Sequence, residues 1–265
     1  VLFRSSLVNA MTTAQVAALT TGQVTALTAA QVGALETADM VAMSTDQVGA
    51  LNTTQVASLT VGMVTALSTA QVAALGTTNV TALTATQVRA LSTASVAALG
   101  TDQVAALTTS QVNALTANSI GALSTDQVGA LTTSQVKALT TANIVALTTG
   151  QVAALSTSQL QALTTDQVKA IATDDIQAIS TSNITALSTT QVQALSTAAV
   201  NALTTAQVQV LNTDNIKALK LASVEAMTST QLQVLTTTQL NTLETEDFAN
   251  LSDAQITGLT TAQVK

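Results

Sequence analysis

The chain has 265 residues, a formal net charge of −7, and no Pro, Cys, His, Trp or Tyr. Seven Lys/Arg against fourteen Asp/Glu leave too few cations for nucleic acid or an anionic lipid surface. Without Cys or His, thiol and imidazole metal sites and Ser-His-Asp or Cys-His catalysis are excluded.

Two aromatic residues, Phe3 and Phe248, are too few for an ordinary globular core. A hydrophobic content of 47% with 8% charge is equally unlike a disordered chain.

In chain order, the opening Val1-Leu2-Phe3-Arg4-Ser5 reads like translated sequencing adapter, so residues 1–5 are expected to be non-native. Lys265 falls inside a repeat, and residues 1–265 read as one continuous array taken from a longer protein, as in a metagenomic fragment. No apolar run reaches the ~18 residues of a membrane span, and no secretory signal is visible.

From residue 8 onward an eight-residue unit governs the chain. Every residue number divisible by eight is apolar, from Val8 and Val16 to Phe248, Ile256 and Val264. Every number leaving remainder three is apolar too, from Met11, Leu19 and Leu27 to Leu259. One continuous helix cannot use this pattern. Eight residues turn through about 800°, so the apolar stripe would drift about 80° per unit. The helix must therefore break once per unit.

The break is marked by residue type. Remainder-four positions are mostly Thr or Ser (Thr20, Thr28, Ser44, Thr60, Ser68), with Asn52, Asn212, Gly76 and Gly100 among the exceptions. These residue types favour a helix N-cap. Three residues later stands Gln in twenty of thirty-three units, as at Gln15, Gln23 and Gln31, which completes a capping box. Leu before the cap and Val at the fourth helical position are spaced as a hydrophobic staple.

Charge supports the same helix direction. Thirteen of fourteen acids lie at the cap or in the first turn, among them Asp46, Asp102, Asp126, Asp166 and Asp214. Arg89, Lys137, Lys169 and Lys217 lie toward the helix end. The helix dipole favours this arrangement.

The predicted fold is therefore all-α: a superhelical solenoid of short, capped helices of about seven residues, one per unit. Such helices are marginal alone and must share a core with neighbouring coils. The competing reading is a β-solenoid. Val and Thr form strands well, and a Thr row (Thr21, Thr37, Thr45, Thr69, Thr93) would then act on ice or polysaccharide. Against it stand ten Gly and no Pro, too few for a tight corner in every coil.

The unit Thr-Thr-x-Gln-Val-x-Ala-Leu resembles octapeptide arrays of very large bacterial surface proteins, often labelled haem-utilisation or adhesion proteins. The resemblance implies an extracellular or cell-surface spacer or stalk, whose partners are neighbouring domains or surface glycans. Leu163-Thr164-Thr165-Asp166-Gln167-Val168-Lys169-Ala170-Ile171 is also similar to the capped first helix of transcription activator-like effector repeats. That family has Pro where this chain has Thr165, and its second helix and base-reading loop are missing here. DNA reading is not carried over.

No catalytic, cofactor-binding or metal-binding residue is expected. The acid groups Asp174–Asp175 and Glu244, Glu246, Asp247 lack the alternating Asp/Asn and central Gly of a Ca²⁺ loop. They read as dipole-stabilising acids. The variable positions Gly33, Val41, Arg89, Lys137, Gln161 and Glu225 read as solvent-facing. From about Val210 the Ala slot loosens to Val210, Val234, Thr242, Asn250 and Gly258, which suggests the approach to an array end or domain border. A ligand-binding scaffold for protein or glycan is the alternative to a spacer.

Overall fold

The computed structural model describes residue 8 and residues 10–264. The expectation for residues 1–5 lies outside the described residues. Among the described residues there are 31 short helices and no strand, one helix per octapeptide. The β-solenoid reading is thereby overturned. Thr21, Thr37, Thr45, Thr69 and Thr93 each open a helix at an exposed position, so they line helix starts and not a β face.

Each helix starts as the capping chemistry requires. At Thr20 the backbone is extended (φ −74°, ψ 158°). Its hydroxyl accepts the Gln23 amide at 3.2 Å, and the Gln23 Oε1 accepts the Thr20 amide at 2.8 Å. Both orphan N–H groups of the helix start are satisfied by two side chains three residues apart. Asn52 does the same through its Oδ1 at 3.0 Å from the Gln55 amide. Gly76 and Gly100 offer no side-chain acceptor, but the Gly100 amide still reaches Gln103 Oε1 at 2.8 Å.

Helices end at the next remainder-three apolar residue or within the two residues before it. Leu27 is already extended (φ −66°, ψ 141°), and its amide donates to Val24 O. The link between helices is thus two consecutive extended residues, Leu and then the cap. This conformation is open to any L-residue. No positive φ occurs among the described residues, which explains how the chain turns a corner every eight residues with so little Gly and no Pro. Four to six residues lie between the caps. With N-cap and C-cap counted, the helical stretch fills nearly the whole unit.

Burial follows the eight-residue code. The position divisible by eight is fully buried from Val8 to Leu240, and the remainder-three residue is buried from Leu35 to Leu251. The Ala two residues after Val is mostly half-buried, where helices approach each other. Val41, Arg89, Lys137, Gln161 and Glu225 are exposed, as the variability of that position predicts; Gly33 is half-buried.

The chain divides into two compact units, residues 1–139 and 140–265. Within the first, each helix packs on the third helix along. Thr37–Ala42, Val61–Ala66, Ala85–Ala90, Thr109–Ala114 and Thr133–Ala138 form one stacked row. Within the second, Thr149–Ala153, Thr173–Ala178, Thr197–Ala202, Leu221–Glu225 and Thr245–Ala249 do the same. Each unit taken alone is a solenoid whose apolar interior is shared between successive coils.

Candidate functional site: a glutamine junction between coils

The buried polar residue of each unit is the Gln of the capping box. In the interior of both units this side chain is almost wholly removed from water, as at Gln55, Gln111 and Gln207. A carboxamide in that position must satisfy both its oxygen and its nitrogen or cost free energy. The oxygen caps its own helix. The nitrogen reaches back one coil.

Gln111 shows the arrangement. Its Oε1 accepts the Thr108 amide at 2.7 Å. Its Nε2 donates to Val80 O at 2.8 Å and Leu83 O at 2.6 Å. The acceptors lie 31 and 28 residues earlier, at the C-terminal end of the helix Thr77–Ala82. There Val80 O already accepts the Leu83 amide and takes the Gln as a second donor, while Leu83 O lies past the last turn of its helix. One side chain therefore caps the start of one helix and the end of another.

The same bonds recur in the first unit at Gln55, Gln71, Gln87 and Gln135. In the second they recur at Gln191, Gln207, Gln231 and Gln255. Gln103 donates to Leu75 O in the same way. Asn is shorter and reaches only the nearer carbonyl: Asn79 donates to Leu51 O at 2.6 Å and Asn183 to Leu155 O at 2.8 Å. The 28-residue offset equals three and a half octapeptides. Each coil in a unit thus closes between three and four repeats, consistent with packing on the third helix and capping of the fourth.

A second, outer contact acts in the opposite direction. Where the residue after Val is polar, its side chain can donate to the Ala carbonyl 25 residues later. Asn113 does so to Ala138 O at 3.0 Å, and Asn201 to Ala226 O at 2.7 Å. Gly33 shows how closely coils approach at this position, since a Cβ there would lie 2.9 Å from Ser58 O.

Sequence reasoning found the Gln as a cap and missed it as a donor. A signal was present. A capping box accepts Glu as readily as Gln, and the helix dipole would favour Glu. No unit has Glu at this position, although Gln fills twenty. Only the amide can donate.

The acid groups are divided by the fold. Asp174 is exposed while Asp175 is buried, and Glu244 and Glu246 are exposed while Asp247 turns inward to accept the Glu244 amide at 2.8 Å. Among the described residues, no group of three or more His, Cys, Asp or Glu is placed to hold a metal ion. Asp46, Asp102, Asp126, Asp166 and Asp214 occupy first turns, and Arg89, Lys137, Lys169 and Lys217 occupy last turns. The ion pair Lys169–Asp166 spans 3.6 Å between exposed side chains and contributes little. Among the described residues, no helix is long and apolar enough to cross a membrane.

A comparison with curated proteins gave no match. A family profile described as the ALTTAQ repeat matches eight overlapping stretches: residues 5–37, 32–66, 64–93, 85–117, 113–141, 138–171, 168–205 and 192–221. Its key letters are the ones that carry the fold: Ala and Leu at the helix end, Thr and Thr at the cap and first turn, and the Gln that joins coils. The chain belongs to the ALTTAQ repeat family.

Proposed function

We propose that the chain is a spacer or stalk segment of a large exported bacterial surface protein, with reach as its function. One observation carries this reading. The regular positions of the octapeptide are consumed by the fold: Val and Leu fill the interior, Thr and Gln cap, and Gln joins coils. Of the positions left exposed, the first-turn Thr recurs at the helix starts, as at Thr21, Thr37 and Thr45, while the one after Val, as at Arg89, Lys137, Gln161 and Glu225, repeats nothing from coil to coil.

A nearest-neighbour array of this kind can be lengthened or shortened by whole repeats without altering the rest, which suits a part whose output is distance. The exported, cell-surface setting rests on the resemblance to octapeptide arrays of bacterial surface proteins. A binding scaffold would need a patterned outer face; the recurring first-turn Thr is accounted for by helix-start preference, and the variable exposed positions lend a scaffold no support.

Removal of whole octapeptides in increasing number from the array in its parent protein tests the proposal. A spacer brings its flanking domains together in proportion to the residues removed and remains helical throughout. Abrupt loss of a ligand at one particular deletion, with the separation unimportant, would replace the spacer with the scaffold. Antibody raised against the array should also label intact cells; labelling only after lysis would remove the surface assignment.

A further inference from the structure

The exceptions to the Gln rule are arranged in space. In the second unit the junction position holds Asp175, Ala199, Ser223 and Asp247, each twenty-four residues after the last. Their helices, Thr173–Ala178, Thr197–Ala202, Leu221–Glu225 and Thr245–Ala249, stack directly on one another. All four exceptions of this kind in the unit therefore fall on one row.

None can make the junction. A carboxylate has no donor, Ala has no polar atom, and the Ser hydroxyl stands on too short a side chain. Asp247 is already engaged with its own cap amide. Caps weaken on the same row: Ala172, Lys220 and Glu244 make no side-chain bond to the helix start. The loss is confined to the helix starts: the ends of the first three helices are still joined, Ile179, Leu203 and Met227 each receiving a Gln Nε2. The first unit shows the same habit in shorter runs, with Asp39 and Met63 on one stacked pair of helices and Ser95 and Ser119 on another.

Scattered drift would spread such losses over all rows. We infer that this row is a seam along the second unit, a line where the starts of four stacked helices lack the polar bond to the preceding coil and open before the rest, although Asn201 still donates to Ala226 O between two of its helices. Opening there exposes the interior locally while the coils on the other rows stay joined. A spacer with such a line yields in a defined place under load. The inference concerns the chain's own stability and does not depend on the spacer reading.

Hydrogen exchange followed by mass spectrometry on the intact chain tests it. Peptides spanning the four seam helices should exchange about tenfold faster than those spanning Thr205–Gln209 and Ser229–Gln233, whose junctions are complete. The fourfold variant Asp175→Gln, Ala199→Gln, Ser223→Gln, Asp247→Gln should slow the seam to the level of its neighbours. Equal exchange across the rows of the unmodified chain overturns the inference even if the variant folds poorly. So does a folded variant whose seam exchanges as before.

Discussion

Deleting the eight residues Thr84–Leu91 leaves the first unit folded with nearly unchanged thermal stability, whereas deleting Thr86 alone unfolds much of it. The junction is a fixed spacing of 28 residues between a Gln and the carbonyl of a Leu. Removing a whole octapeptide slides one Gln into the place of another, so the spacing still falls on a Leu. Removing one residue moves the partner of every Gln whose bond crosses the deletion. Gln87, Gln103 and Gln111 all cross it. Each would lose buried donors and leave buried carbonyls unpaired, at about 1–3 kcal/mol apiece. Three such losses approach the entire stability of a typical domain, about 5–15 kcal/mol. Thermal unfolding followed by circular dichroism checks this. Similar melting of the two deletions would mean that the coils do not depend on register.

The second large effect is at a single junction. Gln111→Glu should cost more than Gln111→Met, although Glu is the closer chemical relative and the usual alternative in a capping box. Met loses the donor and keeps only a weak sulfur acceptor for the cap, but brings no charge; the chain already has Met63 buried at the equivalent position, with the Thr60 amide 3.4 Å from its sulfur. Glu keeps the cap but places an acceptor where Val80 O and Leu83 O now receive a donor at 2.8 and 2.6 Å. An unpaired charge is buried against two carbonyl oxygens, a loss of about 3–5 kcal/mol. The Met variant should lose about 2 kcal/mol. Urea unfolding of the two variants decides the order. A Glu variant as stable as the Met variant would show that the nitrogen of Gln111 is not needed as a donor.

Much of this was readable from the amino-acid order because the local and the repeating signals coincide. Thr20 and Gln23 mark a helix start by residue type and spacing alone, and Val24 and Leu27 mark the buried side by period. The number of repeats per coil was not readable. An exact period of eight is satisfied by any coil size, and it takes the packing on the third helix together with bonds such as Gln111 to Leu83 to show that a coil closes between three and four units. The corner was readable only in part. Sparse Gly argued against tight β corners, but the alternative, Leu27 and Thr28 both extended, depends on where the next cap can be packed. The seam through Asp175, Ala199, Ser223 and Asp247 needs the row geometry before a spacing of twenty-four has meaning.

The coil closure itself is open to a direct measurement, because the chain has no cysteine of its own. Asn113 lies beside Ala138, its Nδ2 3.0 Å from the Ala138 carbonyl, although 25 residues separate them in sequence. Oxidising the double variant Asn113→Cys, Ala138→Cys should give an intramolecular disulfide rapidly and in high yield. The pair Asn113→Cys, Ala130→Cys, nearer in sequence but on a different row, should remain reduced under the same conditions. Cross-linking of the 113–130 pair as readily as the 113–138 pair would contradict the solenoid described above.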